Sequence, residues 1–436
     1  MKTQRCCSLA QRVIQTKKIT GTLFGMESIQ TMIKDKHYEV RKMLSKERKE
    51  KVIDLCQELI RVQSYSGQEG KVVQVLKRNF DDLGFDDVII DGYGNIIGHI
   101  KGNKPGKKVL FDGHTDTVAV TNPEKWMYPP FAGEIHDGKI YGRGASDMKG
   151  AVAAMVCAAA NFAEDSNRDF PGDIYVAGVV HEECFEGVAA RAVSERVKPD
   201  YVIIGEASEL NIKIGQRGRG EIIIETFGKA CHSANPEKGI NAVYKMAQVI
   251  QAIRTLKPTQ HEVLGDGILE LTDIKSSPYP GASVVPEYCR ATYDRRLLVG
   301  ETKESVLAPI TELLEKMMKE DPQLKVKASY SIGKEMCYTG NEIHGERFFP
   351  GWLYDEEEEF VQAVYKEIKA MGFNPSITTY NFCTNGSHYA GEAKIKTLGI
   401  GPSKENLAHT INEYIEIEQL TSVTECYYGV MKALLK

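Results

Sequence analysis

The chain has 436 residues, with 55 Lys and Arg against 60 Asp and Glu and a formal net charge of −5 at pH 7. Acidic and basic side chains are interspersed, so the charge pattern favours neither nucleic acid nor a membrane surface as a partner, and no apolar run reaches transmembrane length. A chain of this length exceeds what one hydrophobic core normally holds, so we expect two domains.

The first 25 residues differ from the rest of the chain. Segment 1–25 is basic, contains no acidic residue and lacks the apolar core of a secretory signal. Two interpretations stay open: a transit-like extension, or a functional chain that begins at Met26. We expect 1–25 to be a disordered extension without a catalytic role.

A first candidate metal ligand follows an apolar, β-branched run that begins at Val109. The run stops at Gly113 and is followed at once by His114 and, two residues later, by Asp116. A metal-bound imidazole needs an acceptor on its other ring nitrogen. We therefore predict that His114 is a ligand and that Asp116 orients it. A histidine that merely satisfies a strand end is the alternative.

A second candidate is Asp147, in the glycine-rich turn Tyr141–Gly150. The turn leads into Ala151–Ala160, a run of small helix-forming residues, so Asp147 is expected in the loop before a buried helix. A helix N-cap is the alternative role. The glycine-rich turn lacks the pattern of a phosphate-binding loop, which argues against a nucleotide site.

Two adjacent carboxylates follow the next predicted strand, Ile174–Val180. Glu182 and Glu183 repel one another unless a cation lies beside them. With metal present, one can be a ligand while its neighbour acts as general base. A thermolysin-type site is excluded, because it requires a second histidine where Phe185 stands. A solvated acidic turn is the alternative.

The same construction recurs twice more along the chain. Glu206 follows the short apolar run Tyr201–Gly205, and His409 comes shortly after the apolar run Ile395–Pro402. In an open, largely parallel sheet, sites form in the crevice beyond the carboxyl ends of the strands. The sequence therefore predicts that these strand-end residues converge on a metal site.

The order His, Asp, paired Glu, acidic residue and late His resembles that of the acetylornithine deacetylase, succinyl-diaminopimelate desuccinylase and glutamate carboxypeptidase family of di-zinc amidohydrolases. The resemblance covers roughly residues 45 to 436. It implies an α/β fold: a zinc-exopeptidase-like catalytic domain, with a mixed, mostly parallel sheet flanked by helices, and an inserted ferredoxin-like α+β lid and dimerisation domain.

The family's ligand set transfers directly onto this chain. The resemblance implies two zinc ions per chain, which cobalt or manganese can replace. His114, Asp147 and Glu206 would hold one zinc, and Asp147, Glu183 and His409 the other. Asp147 would bridge the two ions.

The resemblance also implies the chemistry. Glu182 matches the family's general base, which takes a proton from a water bridging the zinc ions and returns it to the leaving amine. The expected reaction is hydrolysis of a C–N amide bond in an N-acyl amino acid or small peptide-like substrate. Glu206, in place of aspartate, favours a deacylase. A dipeptidase or carboxypeptidase, and an N-carbamoyl amidohydrolase, are the alternatives.

The sequence as a whole also resembles a branch known as selenium-metabolism-linked hydrolases, a label that names a genomic association only. A non-enzymatic binding module would have lost ligands or the base, and this sequence retains them all.

An inserted segment divides the catalytic domain into two stretches of chain. Its residues follow a β-α-β-β-α-β order, that of the ferredoxin-like split unit. We expect the first catalytic stretch at 26–212, the lid at 213–332 and the second catalytic stretch at 333–436. By resemblance, the lid would join two chains in a homodimer.

Two lid residues match family positions that act in catalysis. His232 matches a histidine that stabilises the oxyanion, often from the partner subunit, and Arg296 matches an arginine that grips a substrate carboxylate. Arg295 is adjacent, and on a strand one of the two must face away. The resemblance therefore implies a small-molecule substrate with a carboxylate.

A late loop departs from the family pattern. Where many members have Gly-Gly-Thr/Ser-Asp, this chain has Asn385, Gly386, Ser387 and His388. By position, the first three are expected to contact substrate. His388 replaces the usual aspartate, and its role stays open between a substrate contact, a group behind the site and a surface histidine.

Cysteine usage points to a reducing compartment. The ten cysteines are scattered without a C-x-x-C pair, and several fall in apolar helical patterns. They are typical of reduced, buried thiols in a cytoplasmic enzyme.

Overall fold

The structure, a computed structural model, describes residues 44–436, so the predicted extension 1–25 lies outside the described residues. Helices are numbered α1 Lys46–Arg61, α2 Gly70–Asp82, α3 Gly150–Asp165, α4 Val188–Val197, α5 Ala242–Ile253, α6 Lys303–Glu320, α7 Glu359–Ala370 and α8 Ile417–Leu434.

Strands are numbered β1 Asp87–Ile90, β2 Ile96–Lys101, β3 Lys104–His114, β4 Glu134–His136, β5 Lys139–Tyr141, β6 Pro171–Val179, β7 Tyr201–Ile204, β8 Ile212–Gln216, β9 Gly218–Phe227, β10 Cys231–His232, β11 Gln260–His261, β12 Gly265–Asp266, β13 Ile268–Ser277, β14 Val284–Val285, β15 Tyr288–Leu297, β16 Lys325–Tyr330, β17 Ile332–Met336, β18 Glu342–Glu346, β19 Phe348–Phe349, β20 Trp352–Leu353, β21 Ile377–Tyr380, β22 Lys396–Gly399 and β23 Tyr414–Glu416.

A nine-stranded sheet forms the centre of the catalytic domain. Its order is β1-β2-β6-β3-β7-β22-β8-β20, with β21 paired to β8. The four neighbouring strands β6, β3, β7 and β22 run parallel, whereas β1–β2, β2–β6 and β8–β20 are antiparallel. The expected α/β fold with a mixed sheet is confirmed, and the parallel strands occupy its middle.

The middle strands of the central sheet are buried on both faces. Along β3, Val109 and Phe111 pack into the cluster formed with α1, α2, α3, α7 and α8, while Leu110 packs on the other face with α4. Successive side chains of a strand point to opposite faces. Apolar residues at consecutive positions are therefore what a strand covered on both sides requires, and they place the ends of these strands in a rigid frame.

The inserted segment folds as predicted. Its sheet has the order β13-β15-β9-β16, with β19 also paired to β9. The helices α5 and α6 pack on this sheet through an apolar cluster of their own, which includes Met246 and Ile310. This is the ferredoxin-like arrangement that the β-α-β-β-α-β order indicates.

The limits of the inserted sheet differ from the expected 213–332. Strand β8, which contains position 213, pairs within the central sheet, and β19, at Phe348–Phe349, pairs within the lid sheet. The two chain segments that connect the domains pass each other closely, since a Cβ on Gly218 would lie 2.2 Å from the carbonyl oxygen of Phe349. Glycine is required at this close approach.

Two further features of residues 44–436 concern compartment and membrane. The eight cysteines in this portion of the chain are free thiols, and six of them are buried. None of its helices combines the length and the apolar character needed to cross a bilayer.

Candidate metal centre and active site

The strand-end residues meet at one edge of the central sheet. His114 is the last residue of β3, Glu182 and Glu183 lie in the turn after β6, and Glu206 comes two residues after β7. Because β6, β3 and β7 are parallel neighbours, their carboxyl ends lie side by side. The remaining members come from loops: Asp147 from the turn before α3, and His409 from the loop between β22 and β23.

Asp147 lies between the two imidazoles. Its Oδ1 is 2.9 Å from His114 Nε2, and its Oδ2 is 3.2 Å from His409 Nε2. Each imidazole has a further carboxylate nearby: Glu206 Oε1 is 3.5 Å from His114 Nε2, and Glu183 Oε2 is 2.9 Å from His409 Nε2. One carboxylate thus faces two histidine-and-glutamate pairs, the arrangement expected of a bridging ligand.

The donor atoms lie close enough together to hold metal ions. Two groups of donors, His114 with Glu182 and Glu206, and His114 with Asp147 and Glu183, each have ligand atoms within 4.8 Å of one another. Imidazole nitrogen and carboxylate oxygen are the donors that zinc accepts in catalytic sites. Since Glu182 belongs to the first group, proximity alone does not separate a ligand from a base.

The electrostatics of the cluster also fit cations. Burial, and then the neighbouring Asp147, raise the pKa of Glu206 to about 8. Burial likewise raises the pKa of Glu182 well above its ordinary value, and its Oε1 is buried without a hydrogen-bond partner. Positive charge at this position would offset both the repulsion and the lost hydration of the carboxylates.

The role predicted for Asp116 is wrong in its detail. His114 Nδ1 lies 2.8 Å from the backbone carbonyl oxygen of Asp116, whereas the Asp116 carboxylate is 3.6 Å away. The carboxylate instead accepts hydrogen bonds from the backbone N–H groups of Glu182, at 3.1 Å, and Glu183, at 3.2 Å, and from the Ser66 hydroxyl. Buried N–H groups of a turn need acceptors, so Asp116 holds the turn that carries the carboxylate pair.

A second buried carboxylate, Glu69, holds the same turn. Its Oε1 accepts from the backbone N–H of His181 at 3.2 Å and of Gly67 at 2.9 Å. Burial, and then the neighbouring Asp116, raise the pKa of Glu69 to about 7. Three consecutive N–H groups, from residue 181 to 183, therefore bind two buried carboxylates, and this fixes the backbone around Glu182.

The loop that carries Asp147 is held by Glu413. This fully buried carboxylate accepts from the backbone N–H groups of Gly144, Ser146 and Asp147 and from the Arg143 guanidinium. Sequence reasoning missed Glu413, although it lies only four residues after His409. Buried acidic residues thus hold both the turn that carries Glu182 and Glu183 and the loop that carries Asp147.

A cavity of about 480 Å³ opens beside the cluster. It is lined by Asp147, Glu182, Glu183, Glu186, Glu206, Ala207, Arg219, Arg296, Phe382, Cys383, Glu405, Ala408 and His409. Arg296 therefore lies in the cavity wall, while Arg295 faces away and pairs with Glu301. Arg219 was not predicted, because its partners are distant along the chain.

The structure does not bring His232, predicted to stabilise the oxyanion, or the predicted substrate contact Asn385 to this cavity. His232 lies exposed in the short strand β10, and its Nδ1 accepts from the Ala234 N–H. Asn385 is buried, donates to Asp112 at 3.0 Å and accepts from the Gly187 N–H at 2.8 Å. The late loop reaches the cavity wall through Phe382 and Cys383 instead.

Three further residues of that loop are buried. Gly386 and Ser387 lie beneath the surface, and so does His388, so its interpretation as a surface histidine is wrong. The His388 ring is 2.6 Å from Ser194 Oγ and 2.8 Å from Glu392 Oε2. A loop of small polar residues gives no sign in the sequence that helices will cover it.

Comparison with known proteins gives a consistent set of matches. The model of peptidase family M20/M25/M40 matches residues 110–433. YgeY of Escherichia coli (strain K12) is 32% identical over 378 residues, covering 86% of this chain and 92% of YgeY. Succinyl-diaminopimelate desuccinylase 2 of Ruegeria sp. (strain TM1040) is 26% identical, covering 87% and 94%.

A solved structure agrees with these sequence matches. Aminopeptidase PepT from Bacillus cereus ATCC 10987 superposes with a TM-score of 0.69 at 22% identity, covering 89% of this chain and 99% of that chain. At this identity the likeness concerns the fold.

Proposed function

The chain belongs to peptidase family M20/M25/M40, and we propose that it removes the acyl group from an N-acyl amino acid, with two zinc ions bound. As a member of this family it is a metal-dependent hydrolase that cleaves amide C–N bonds. The observation that carries the proposal is the position of Asp147, whose two carboxylate oxygens face His114 and His409.

Five residues would hold the cations. They are His114 and Glu206 on one side, Glu183 and His409 on the other, and Asp147 between them. Two bound divalent cations would polarise the scissile carbonyl and lower the pKa of water, so that hydroxide is available at neutral pH.

Glu182 is suited to move the proton. It lies in the cavity wall, its Oε1 lacks a hydrogen-bond partner, and Asp116 fixes its backbone N–H. A carboxylate within reach of the attacking water takes one proton from it and delivers a proton to the leaving nitrogen. The turn is held rigidly, which keeps this carboxylate in place for both transfers.

Arg296 supports a substrate with a carboxylate. Its Nε pairs with Asp294 Oδ1 at 2.9 Å, so the pairing uses only one edge of its guanidinium. The terminal nitrogens can then bind a carboxylate with two parallel hydrogen bonds. A cavity of about 480 Å³ suits a small molecule.

The preference for a deacylase rests on Glu206 and on the similarity to a succinyl-diaminopimelate desuccinylase. The structural likeness to an aminopeptidase keeps a dipeptidase or carboxypeptidase as the second candidate, and an N-carbamoyl amidohydrolase is a third candidate on the same fold.

We propose a homodimer formed through the lid. Strand β13 lies at an edge of the lid sheet and exposes Ile268 and Ile274, so a second copy could pair there. His232 lies outside the cavity of its own chain, and a partner copy would be needed to bring it to a site. The free thiols support a cytoplasmic location.

An activity screen tests the function. Purified protein is loaded with zinc, cobalt or manganese and assayed on N-acetyl, N-succinyl and N-carbamoyl amino acids and on dipeptides. We expect turnover of one N-acyl class and a loss of at least about tenfold in kcat/KM when the substrate carboxylate is replaced by a primary amide. Hydrolysis of dipeptides alone would contradict deacylation, and absence of turnover in every class would contradict the hydrolase proposal.

A further inference from the structure

A continuous chain of charged groups links the lid to the segment after β6 that carries Glu182. Arg296 Nε lies 2.9 Å from Asp294 Oδ1, and Arg219 Nε lies 2.9 Å from Asp294 Oδ2. The other end of the Arg219 guanidinium, Nη1, lies 2.8 Å from Glu186 Oε1. The order along this chain is therefore Arg296, Asp294, Arg219, Glu186, and we refer to it as the charge chain.

The members of the charge chain come from both domains. Arg219 and Arg296 are paired opposite one another on the lid strands β9 and β15. Glu186 lies four residues after Glu182, in the segment that follows β6, and its carboxylate is buried. Arg219 thus reaches from the lid to the segment that carries the proposed general base.

Each contact of the charge chain restricts a direction as well as a distance. A guanidinium is planar and presents its donors in a fixed fork. Arg219 uses two edges of that fork, one for Asp294 and one for Glu186. Asp294 uses a different oxygen for each arginine, so the orientation of Arg296 depends on where Arg219 lies.

We propose that Arg219 is a positioning residue that sets the distance between the Arg296 guanidinium and the Glu182 carboxylate, and thereby selects the length of the substrate. This inference rests on the proposed function. The substrate class that it specifies is an N-acylated α-amino acid, whose carboxylate lies one carbon from the nitrogen of the scissile bond. A β-amino acid conjugate is longer by one methylene and misaligns its carbonyl.

The size of the effect follows from geometry. A misplacement of about 1 Å at a reacting centre can lower the rate about 100-fold, and one methylene changes the reach by about that amount. The parent is therefore expected to prefer the α-conjugate by about 10- to 100-fold. Without Arg219, the Arg296 fork is no longer fixed relative to Glu182, and the preference falls to about threefold or less.

The decisive experiment compares Arg219→Gln with the parent on a matched pair, the N-acyl derivatives of α-alanine and β-alanine, with the acyl group that the parent hydrolyses best. Arg290→Gln is the control, because it also removes one arginine charge from the lid sheet, at a position on β15 that is not part of the charge chain. Metal content is measured for each variant. A fall in the α-to-β ratio of kcat/KM with Arg219→Gln alone supports the proposal. An equal loss on both substrates, or no loss, overturns it.

A second readout does not depend on turnover. Amide hydrogen exchange is measured in the metal-loaded protein at Gly187 and Val188, whose N–H groups bond to Asn385 and to Phe185. Arg219→Gln is expected to speed exchange there about tenfold, since Glu186 loses its anchor. Unchanged exchange overturns the positioning role. If the parent hydrolyses no substrate, the proposed function and the substrate selection both fail, while this measurement still decides whether Arg219 positions the segment that carries Glu186.

Discussion

Replacing Glu413 with glutamine tests whether buried acidic residues fix the metal centre. Glu413 Oε1 accepts from the N–H groups of Ser146, at 2.8 Å, and Asp147, at 3.1 Å. Its Oε2 accepts from Gly144 N–H at 3.1 Å and from Arg143 Nη1 at 2.5 Å. Glutamine keeps one accepting oxygen and turns the other into an NH₂ group that faces two donors.

The expected loss follows from these contacts. Removing one partner of a buried ion pair costs about 3–5 kcal/mol, and each buried donor left without an acceptor costs about 1–3 kcal/mol. Because the two costs overlap at Arg143, we expect Glu413→Gln to lower the free energy of unfolding by about 3–5 kcal/mol. Loosening the Asp147 loop should also weaken metal affinity about 10- to 100-fold.

The assay combines two measurements. Urea unfolding at pH 7 gives the stability difference, and competition with a chromophoric chelator gives the metal affinity. Glu418→Gln is the control, because it makes the same change at an exposed helical position and should cost less than about 1 kcal/mol. A Glu413→Gln protein that stays within about 1 kcal/mol of the parent and keeps parental metal affinity would refute the reasoning.

Three further predictions follow from the site and its surroundings. Glu182→Gln should lower kcat by about 10²- to 10⁴-fold while metal content stays at the parental value. A variant with the parental kcat would show that Glu182 is not the general base. Burial alone would raise the pKa of Glu392, but hydrogen bonds from His388 and Arg191 lower it to about 2. The ionised carboxylate therefore stabilises the fold above pH 4.5, and this stabilisation is lost as the pH falls towards 2. Glu392→Gln should therefore cost about 2 kcal/mol at pH 7 and less than about 0.5 kcal/mol near pH 2 in urea unfolding, and a pH-independent difference would contradict this. Removal of metal with a chelator should abolish turnover and lower the thermal midpoint, and zinc should restore both; turnover that survives complete removal would exclude metal chemistry.

The main elements of the site could be predicted because their signals are local. Each of the runs ending near His114, Glu182 and Glu206 is an apolar strand followed at once by a ligand-type residue. Parallel pairing then brings strand ends together without any further information. The lid was predictable for the same reason, since its alternation of strand and helix lies in one continuous segment.

What could not be predicted are contacts between residues distant in the chain. The pairs Glu413 with Arg143 and Arg219 with Glu186 join different loops and domains. No local pattern marks such pairs. Asp116 illustrates the limit, because its spacing from His114 suggested one partner while its carboxylate found backbone N–H groups of another loop.

Burial of the late loop could not be predicted from the sequence either. The stretch from 384 to 388 is polar and contains glycine, which is typical of a surface turn. In the structure Asn385 and His388 are buried and hydrogen-bonded to Asp112, Ser194 and Glu392. Their environment depends on α4, which the sequence around the loop does not specify.

The central claim is that Asp147 joins two cation sites into one centre, and metal analysis of the parent and of Asp147→Ala tests it most directly. The parent is expected to hold close to two metal equivalents, and the variant is expected to lose both and all turnover, because each site depends on one oxygen of the same carboxylate. A variant that keeps one equivalent at parental affinity would contradict the bridge, and a parent that binds no metal tightly would contradict the centre itself.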